Sequence, residues 1–487
     1  MPKQTLKVPS LFNGISQQPD SIRFKNQVED ATNVSFSVFD GAQLRPPTIF
    51  VSEITGLNPS STFRLHAIER DSEEQYLAVY GDSTLRVLEA DGRESTVTKT
   101  SEANSYVNSN NATDDQMRLI SITDATFFLN TTVPVSLSAA GDDLDGTTMP
   151  IKLTRTVAPT SSTAATFTLD VVDWEERSTG TNDSNPAPSL WQNNSKLSDM
   201  SFHRGRLVLA GDENVVFSRA GDILNFYNLA HDNVVDADPI DVQLSSEQVT
   251  IVDYITEWNK TLAIFTKSGR QFQLNSPSTL SQDTASITTS TSHKTLSVRP
   301  QLLGDTLFFV GSKRGSSVLY ELLFDDLRDS NVANDVTGHV PYFLSQSIRS
   351  IATGDNSNIV FVLPKKGTGG TLGGTSDINY LLKEDGDFLL TEDGDRIILD
   401  EGELSNLIGT YKFHWQGDNK IQSAWSKYEF HSDYMIHDVA KLGNMLYMLV
   451  QFNELFILEA MPIEINMDPD SPSGDQFEVA AGKRGGS

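Results

Sequence analysis

The sequence predicts a mainly β fold: a β-propeller-like domain built from repeats of about 50 residues, with small β insertions. Three observations predict it. Short runs rich in Val, Ile, Phe and Tyr, separated by Gly, Asp, Asn and Ser, dominate from Phe63 onward. Few stretches hold a helical period for long. One unit, a polar turn followed by a short apolar strand, recurs seven times, with register marks at Leu77, Phe127, Leu207, Leu262, Leu307, Ile359 and Leu446. Successive spacings are 50, 80, 55, 45, 52 and 87 residues, so four of six lie near one value. Evenly spaced hairpins in an antiparallel sandwich would give a similar pattern, and that alternative stays open at this level.

Taken in order, residues 1–50 form an N-terminal arm and hairpin. Val34, Phe36 and Val38 alternate with Ser35 and Ser37, the turn falls at Asp40-Gly41, and Arg45-Pro46-Pro47 ends the return strand because proline donates no ladder hydrogen bond. Residues 51–135 carry the first propeller-like repeats. The first long gap in the spacing falls at 136–196, whose Thr- and Ser-rich composition and Asn185-Pro186-Ala187-Pro188 exit suggest an inserted small β, platform-like subdomain. Repeats resume over 197–363. The second long gap, 364–408, opens on a Gly-rich linker from Gly367 to Gly374 and continues through Asp385-Gly386-Asp387 and Asp393-Gly394-Asp395, which read as an acidic β-ribbon. Closing repeats occupy 409–462, and 463–487 reads as a flexible C-terminal tail.

Lys and Arg number 37 against 65 Asp and Glu, a formal charge of −28 spread along the chain. That balance argues against a surface that grips nucleic acid, since phosphate affinity comes mainly from Lys and Arg. It is compatible with a surface that DNA slides past, where like charges keep the duplex from sticking. The absence of cysteine excludes disulfides, thiolate metal sites and a Cys nucleophile. The first ten residues lack the apolar core of a signal peptide, and Pro9 would interrupt one. The most apolar stretch, Met445 to Ile463, is broken by Gln451, Asn453, Glu454 and Glu459, short of the roughly 20 apolar residues of a membrane span.

Recognisable chemistry-bearing motifs are missing, although the carboxylates are numerous enough for some pair to fall at a glycosidase separation that sequence gives no means of choosing. The Gly-rich run lacks the Gly-Lys-Ser/Thr that would place a lysine on phosphates. The Asp-Gly-Asp turns lack the alternating ligand spacing of a Ca²⁺ loop, and none of the eight histidines forms a zinc-binding pair. Neither a Gly-x-Ser-x-Gly elbow nor a sialidase-type Asp box is present. No catalytic residue, cofactor or metal is expected.

The specific wording lies in Gly14-Ile15-Ser16-Gln17-Gln18-Pro19-Asp20, then Arg23, Gln27, Asn33, Gly41 and Arg45-Pro46-Pro47. It continues collinearly through Arg70 to Tyr76, Met117-Arg118-Leu119, Thr126 to Asn130, Gly211 to Arg219, Asn225-Phe226-Tyr227, Asp236 to Val242, Gly338 to Pro341 and Gln422 to Ser426. In these strings the chain resembles the tail tubular protein B, or tail nozzle, family of short-tailed bacteriophages. The resemblance implies a non-enzymatic virion protein of the tail, a homo-oligomeric ring of six copies beneath a tail adaptor ring, contact with a tail fibre protein, and passage of double-stranded DNA without specific binding. It implies a propeller domain as well. Nozzle proteins are often longer, and 136–196 and the end after Pro462 look abbreviated. A propeller that degrades polysaccharide, or a glycan-binding tail protein, remains the rival reading because fold does not decide function. Gln17, Gln18, Pro19 and Asp20, with Asp236, Asp238 and Asp241, are candidate assembly contacts because they are polar, turn-prone and expected on exposed segments. Closure of local turns would explain the same residues.

Overall fold

The computed structural model describes residues 10–463 apart from 72–73, 140, 142, 277–278, 314, 326–329, 345–346, 355–356, 366–378, 381–397, 401–403 and 418. Among the described residues seven four-stranded meanders follow one another. Blade 1 opens on Arg64–Glu69 and ends on Glu94–Lys99, and blade 2 runs from Met117–Ile122 to Thr166–Asp170. Blade 3 runs from Leu197–His203 to Ile240–Gln243, and blade 4 from Val252–Trp258 to Ser286–Thr291. Blade 5 runs from Gln301–Leu303 to Ser330–Asp335, and blade 6 from Ile348–Gly354 to Asn419–Glu429. Blade 7 starts with Tyr434–Leu442 and takes its fourth strand, Ile49–Ile54, from the other end of the chain.

That borrowed strand pairs antiparallel with Leu455–Pro462 and closes the ring. The first strands of blades 7, 1, 2, 3 and 4 lie against one another in that order, as do those of 5, 6 and 7. They line the axis. Each of the seven register marks falls in the second strand of a different blade, and all are at most 3% exposed. The reason is the pattern of burial. A propeller's second strand is covered on both faces by neighbouring blades, so it reads as an unbroken apolar run, whereas outer strands face water and alternate.

Among the described residues seven apolar clusters fill the seven inter-blade spaces. Between blades 7 and 1, for example, Leu65, Leu77 and Val79 meet Leu449, Phe456 and Leu458. Blades 1 and 2 are joined further: their outer strands pair parallel, Thr166 opposite Thr96 through Leu169 opposite Lys99, which makes one eight-stranded sheet. The helix Ser101–Asn108 follows, capped by Thr100, and buries Ala103, Tyr106 and Val107 inside that curl.

The segment 136–196, expected as an inserted subdomain, contains Ile151–Val157 and Thr166–Asp170, which complete blade 2. Its spacing is stretched because the parallel outer pairing and the connection through Ser189–Gln192 need extra chain. Of the expected acidic ribbon, Asn379–Tyr380 pairs antiparallel with Ile398–Asp400; the Gly-rich run and the Asp-Gly-Asp turns lie outside the described residues, as does the tail after Ile463.

Candidate functional site

The arm turns out to be a fifth layer on the outer edge of blade 6. Ile15 donates its N–H to Trp425 O (2.9 Å), Asn33 donates to Lys427 O (2.8 Å), and Gln422 Nε2 donates to Phe12 O (2.8 Å). Gly14 has φ +67°, and a Cβ there would sit 2.5 Å from the backbone N and O of Trp425. Only glycine fits so close an approach. Ile15, Ala31 and Phe36 join Trp425 in the core between blades 5 and 6. The hairpin forms as expected, Val34–Ser37 against Gly41–Leu44. Arg45 then closes the arm, donating Nε to Asn33 Oδ1 (2.9 Å) and stacking 4.6 Å over the Phe430 ring. An edge strand presents unpaired backbone groups, and the arm covers them.

The candidate assembly residues have mostly intramolecular work. Gln17 donates its N–H to His339 O (2.9 Å), and its Oε1 accepts from Tyr342 N (2.8 Å). Gln18 O accepts from Arg23 Nη2 (3.0 Å), and Pro19 O accepts from the N–H groups of Ile22 and Arg23. Asp20 is different: its carboxylate is 93% exposed, 3.2 Å from Arg23. Asp238 is fully buried, contrary to the exposure expected of it, because it caps its own turn by accepting from Val235 N (2.9 Å) beside Arg219. Asp241 accepts from Ser189 N (2.7 Å) and Oγ, tying the connection after blade 2 to the edge of blade 3. Asp236 offers its carbonyl to Arg206 Nη2 (2.7 Å). Arg206, which sequence reasoning missed, is 1% exposed and gathers five carbonyls from Ser218, Asp236, Ala237, Asp238 and Leu280.

Sequence reasoning also missed the axis, where ionisable side chains from six blades converge. Asp114 is buried and accepts from Arg349 Nη2 (2.5 Å), Arg64 Nε (3.1 Å) and Thr62 Oγ1 (2.6 Å). Arg349 also donates to Phe63 O (3.0 Å) and His437 O, and Arg64 to Arg349 O (2.7 Å) and Asp115. Asp438 accepts from Leu65 N (3.0 Å) and Ser350 Oγ (2.5 Å), linking the first strands of blades 6, 7 and 1, and Asp199 accepts from Ile255 N (3.0 Å), linking those of blades 3 and 4. A repeated device aims these groups. The first strands of blades 3, 4, 6 and 7 each carry a register shift, which skips Ser198, Asp253, Arg349 and His437.

Burial dominates the protonation states here. It holds His437 down to about 4, with Gln451 opposing the shift and Arg349 adding to it; the ring accepts Phe63 N–H at Nδ1 (3.2 Å) and faces Gln451 Oε1 with Nε2 (2.9 Å). Burial, with Arg299 nearby, holds His66 down to about 3. Asp115 is pulled well below the usual carboxylate range by Arg64 and Lys365, against a burial penalty that is itself larger than any single attraction.

The space left on the axis is small. A cavity of about 130 Å³ lies among Arg64, Arg118, Arg299 and Arg349, room for about four waters at ~30 Å³ each. It abuts one of about 470 Å³ that shares Leu65, His66, Arg299 and Ile351. A duplex is wider than its own major groove of about 12 Å and cannot enter. Among the described residues no cluster of His, Asp and Glu could hold a metal ion, and no helix is long and apolar enough to cross a membrane.

Comparison with known proteins adds an independent line. The profile of a family described as bacteriophage nozzle protein matches residues 1–143 and 140–481. Tail tubular protein gp12 of Escherichia phage T7 is 28% identical over 218 residues, which is 44% of this chain and 26% of that protein. The matched stretch thus spans about a quarter of that relative's length. Among solved structures, Raptor of Chaetomium thermophilum superposes over 86% of this chain and 29% of its own at 9% identity, with a TM-score of 0.44. The WD40 domain of Neurospora crassa Pan2 superposes over 83% and 90% at 8% identity, with a TM-score of 0.40. Scores below 0.5 carry no argument about the fold, which rests on the sheet topology itself.

Proposed function

The chain belongs to the bacteriophage nozzle protein family and is a structural component of the virion tail, and from that premise we propose that it forms a ring, of six copies, through which DNA passes during ejection. The filled axis carries this reading. Arg64, Arg349 and Asp114 occupy the centre of the propeller, so one copy has no bore for a duplex, which supports a DNA path bounded by several copies. The charge of −28 per chain favours passage over capture, because phosphate meets net repulsion and few lysines or arginines to grip it.

The arm, exposed at Asp20, and the edge of blade 3 around Asp236 and Asp241 are the proposed contact regions between copies. Asp238 would support that edge from inside. A tail adaptor ring and a tail fibre protein are the proposed neighbours along the tail, and no catalytic role is proposed. A sialidase-type Asp box is absent from the sequence, and the rival readings are tested directly: release of reducing sugar from host polysaccharide would favour a degrading propeller, and glycan-array binding a glycan-binding one. Multi-angle light scattering on the purified chain tests the ring: a mass near six chains is expected, and a monomer at every concentration, together with single copies in virion tails, would refute it.

A further inference from the structure

Four arginines line the 130 Å³ axial cavity, and they fall into two classes. Arg64 and Arg349 are committed to carboxylates and carbonyls, as described above. Arg118 and Arg299 are committed only in part. Arg118 donates from Nη1 alone, to Met117 O (3.2 Å) and Asp115 O; its Nε is buried with no partner, and no acceptor stands at Nη2 among the described residues. Its guanidinium rests 4.7 Å over the Tyr254 ring, which fixes its plane without using its donors. Arg299 reaches Leu119 O, Met200 O and the Asp199 carboxylate only at 3.2 to 3.4 Å, and its side chain is 33% exposed. Gln301 lines both cavities, and its amide has no hydrogen-bond partner among the described residues.

Asp114 and Asp438 line the same cavity and Asp199 and Asp253 stand near Arg118, but these carboxylates leave the Nε and Nη2 donors of Arg118 unused. Asp199 accepts from Ile255 N and Arg299, Asp253 from Ser297 Oγ (2.5 Å), and Asp438 from Leu65 N and Ser350 Oγ. Two guanidinium groups and one amide therefore face a common space with hydrogen-bonding capacity to spare. Buried donors left without acceptors cost free energy, and a planar guanidinium matches the paired oxygens of an oxyanion. We propose that the propeller axis is a binding site for one small oxyanion of the phosphate or sulfate class, held between Arg118 and Arg299 with Gln301 as a further donor. The cavity volume suits an ion of that size, and the adjoining 470 Å³ space is its route in. The bound ion would bridge blade 2, which carries Arg118, and the segment leading into blade 5, which carries Arg299. This inference does not depend on the number of copies in the ring.

Isothermal titration of the full chain with inorganic phosphate, then sulfate, then chloride at matched ionic strength tests it. Saturable binding of phosphate and sulfate at one ion per chain is expected, with chloride giving no saturable heat. Arg118→Gln and Arg299→Gln should each weaken phosphate binding by about tenfold or more, which is ~1.4 kcal/mol. Gln301→Leu should weaken it less, and it serves as the arm that keeps the test decisive if an arginine variant fails to fold by circular dichroism. The proposal is overturned by an absence of saturable phosphate binding to the wild-type chain, by equal heats from chloride, or by affinity unchanged in the folded variants.

Discussion

His437 shows how one side chain couples the fold to pH. It is fully buried where blade 7 meets blade 1, accepts Phe63 N–H, and sits beside Arg349 and Asp114. Its folded value, about 4, lies below the ~6.5 of an unfolded histidine, so the folded state binds the proton more weakly. Stability is therefore fully present above pH 6.5 and falls as pH drops from there toward 4, by up to ~1.4 kcal/mol per pH unit from this group. The melting temperature should decline over that window, and a His437→Gln variant should decline less steeply; parallel profiles would remove His437 as the cause. Asp114 gives a second test. Replacing it by Ala strands Arg64 and Arg349 without their shared acceptor, and a loss of about 3–5 kcal/mol in denaturant-unfolding free energy is expected. None of these residues was legible beforehand. They come from segments hundreds of positions apart, and their convergence depends on bulges in first strands that leave no local spacing to read.

Among elements, the second strand of each blade was the most legible part of the chain, because burial on both faces turns it into an apolar run. Outer strands such as Ser286–Thr291 and Ile240–Gln243 were not, since a short edge strand is as polar as a loop. The outer strands of blades 1 and 2 were hidden for another reason: their parallel pairing stretches the repeat and mimics an insertion. The arm was legible as a hairpin and as family wording, but its docking partner was not, because nothing in Gly14 to Pro19 points to Trp425. Gly14→Ala tests that docking. The new Cβ meets the Trp425 backbone at 2.5 Å, and φ +67° adds about 1–2 kcal/mol of strain. Hydrogen exchange of Ile15 and Asn33 should accelerate while the second strands stay protected; unchanged exchange at both amides would show that the arm does not depend on this approach.

The whole molecule is a closed wheel whose centre is occupied. Closure by Ile49–Ile54 unites the two ends of the described chain in one blade, and the ionic hub links first strands around the axis. A scaffold of this kind resists opening but offers no passage of its own, which is why the proposed DNA path runs between copies. The electrostatic part of that proposal has its own check. Fluorescence anisotropy with a short duplex at physiological salt should give no measurable binding, and a submicromolar dissociation constant would contradict a low-friction surface. The central claim is tested most directly by a cryo-electron-microscopy reconstruction of the assembled tail. The expected result is a ring of copies around a shared lumen, with continuous density through each propeller axis at Arg64, Arg349 and Asp114. A DNA path running through the axis of a single propeller, or a lone copy in the tail, would contradict it.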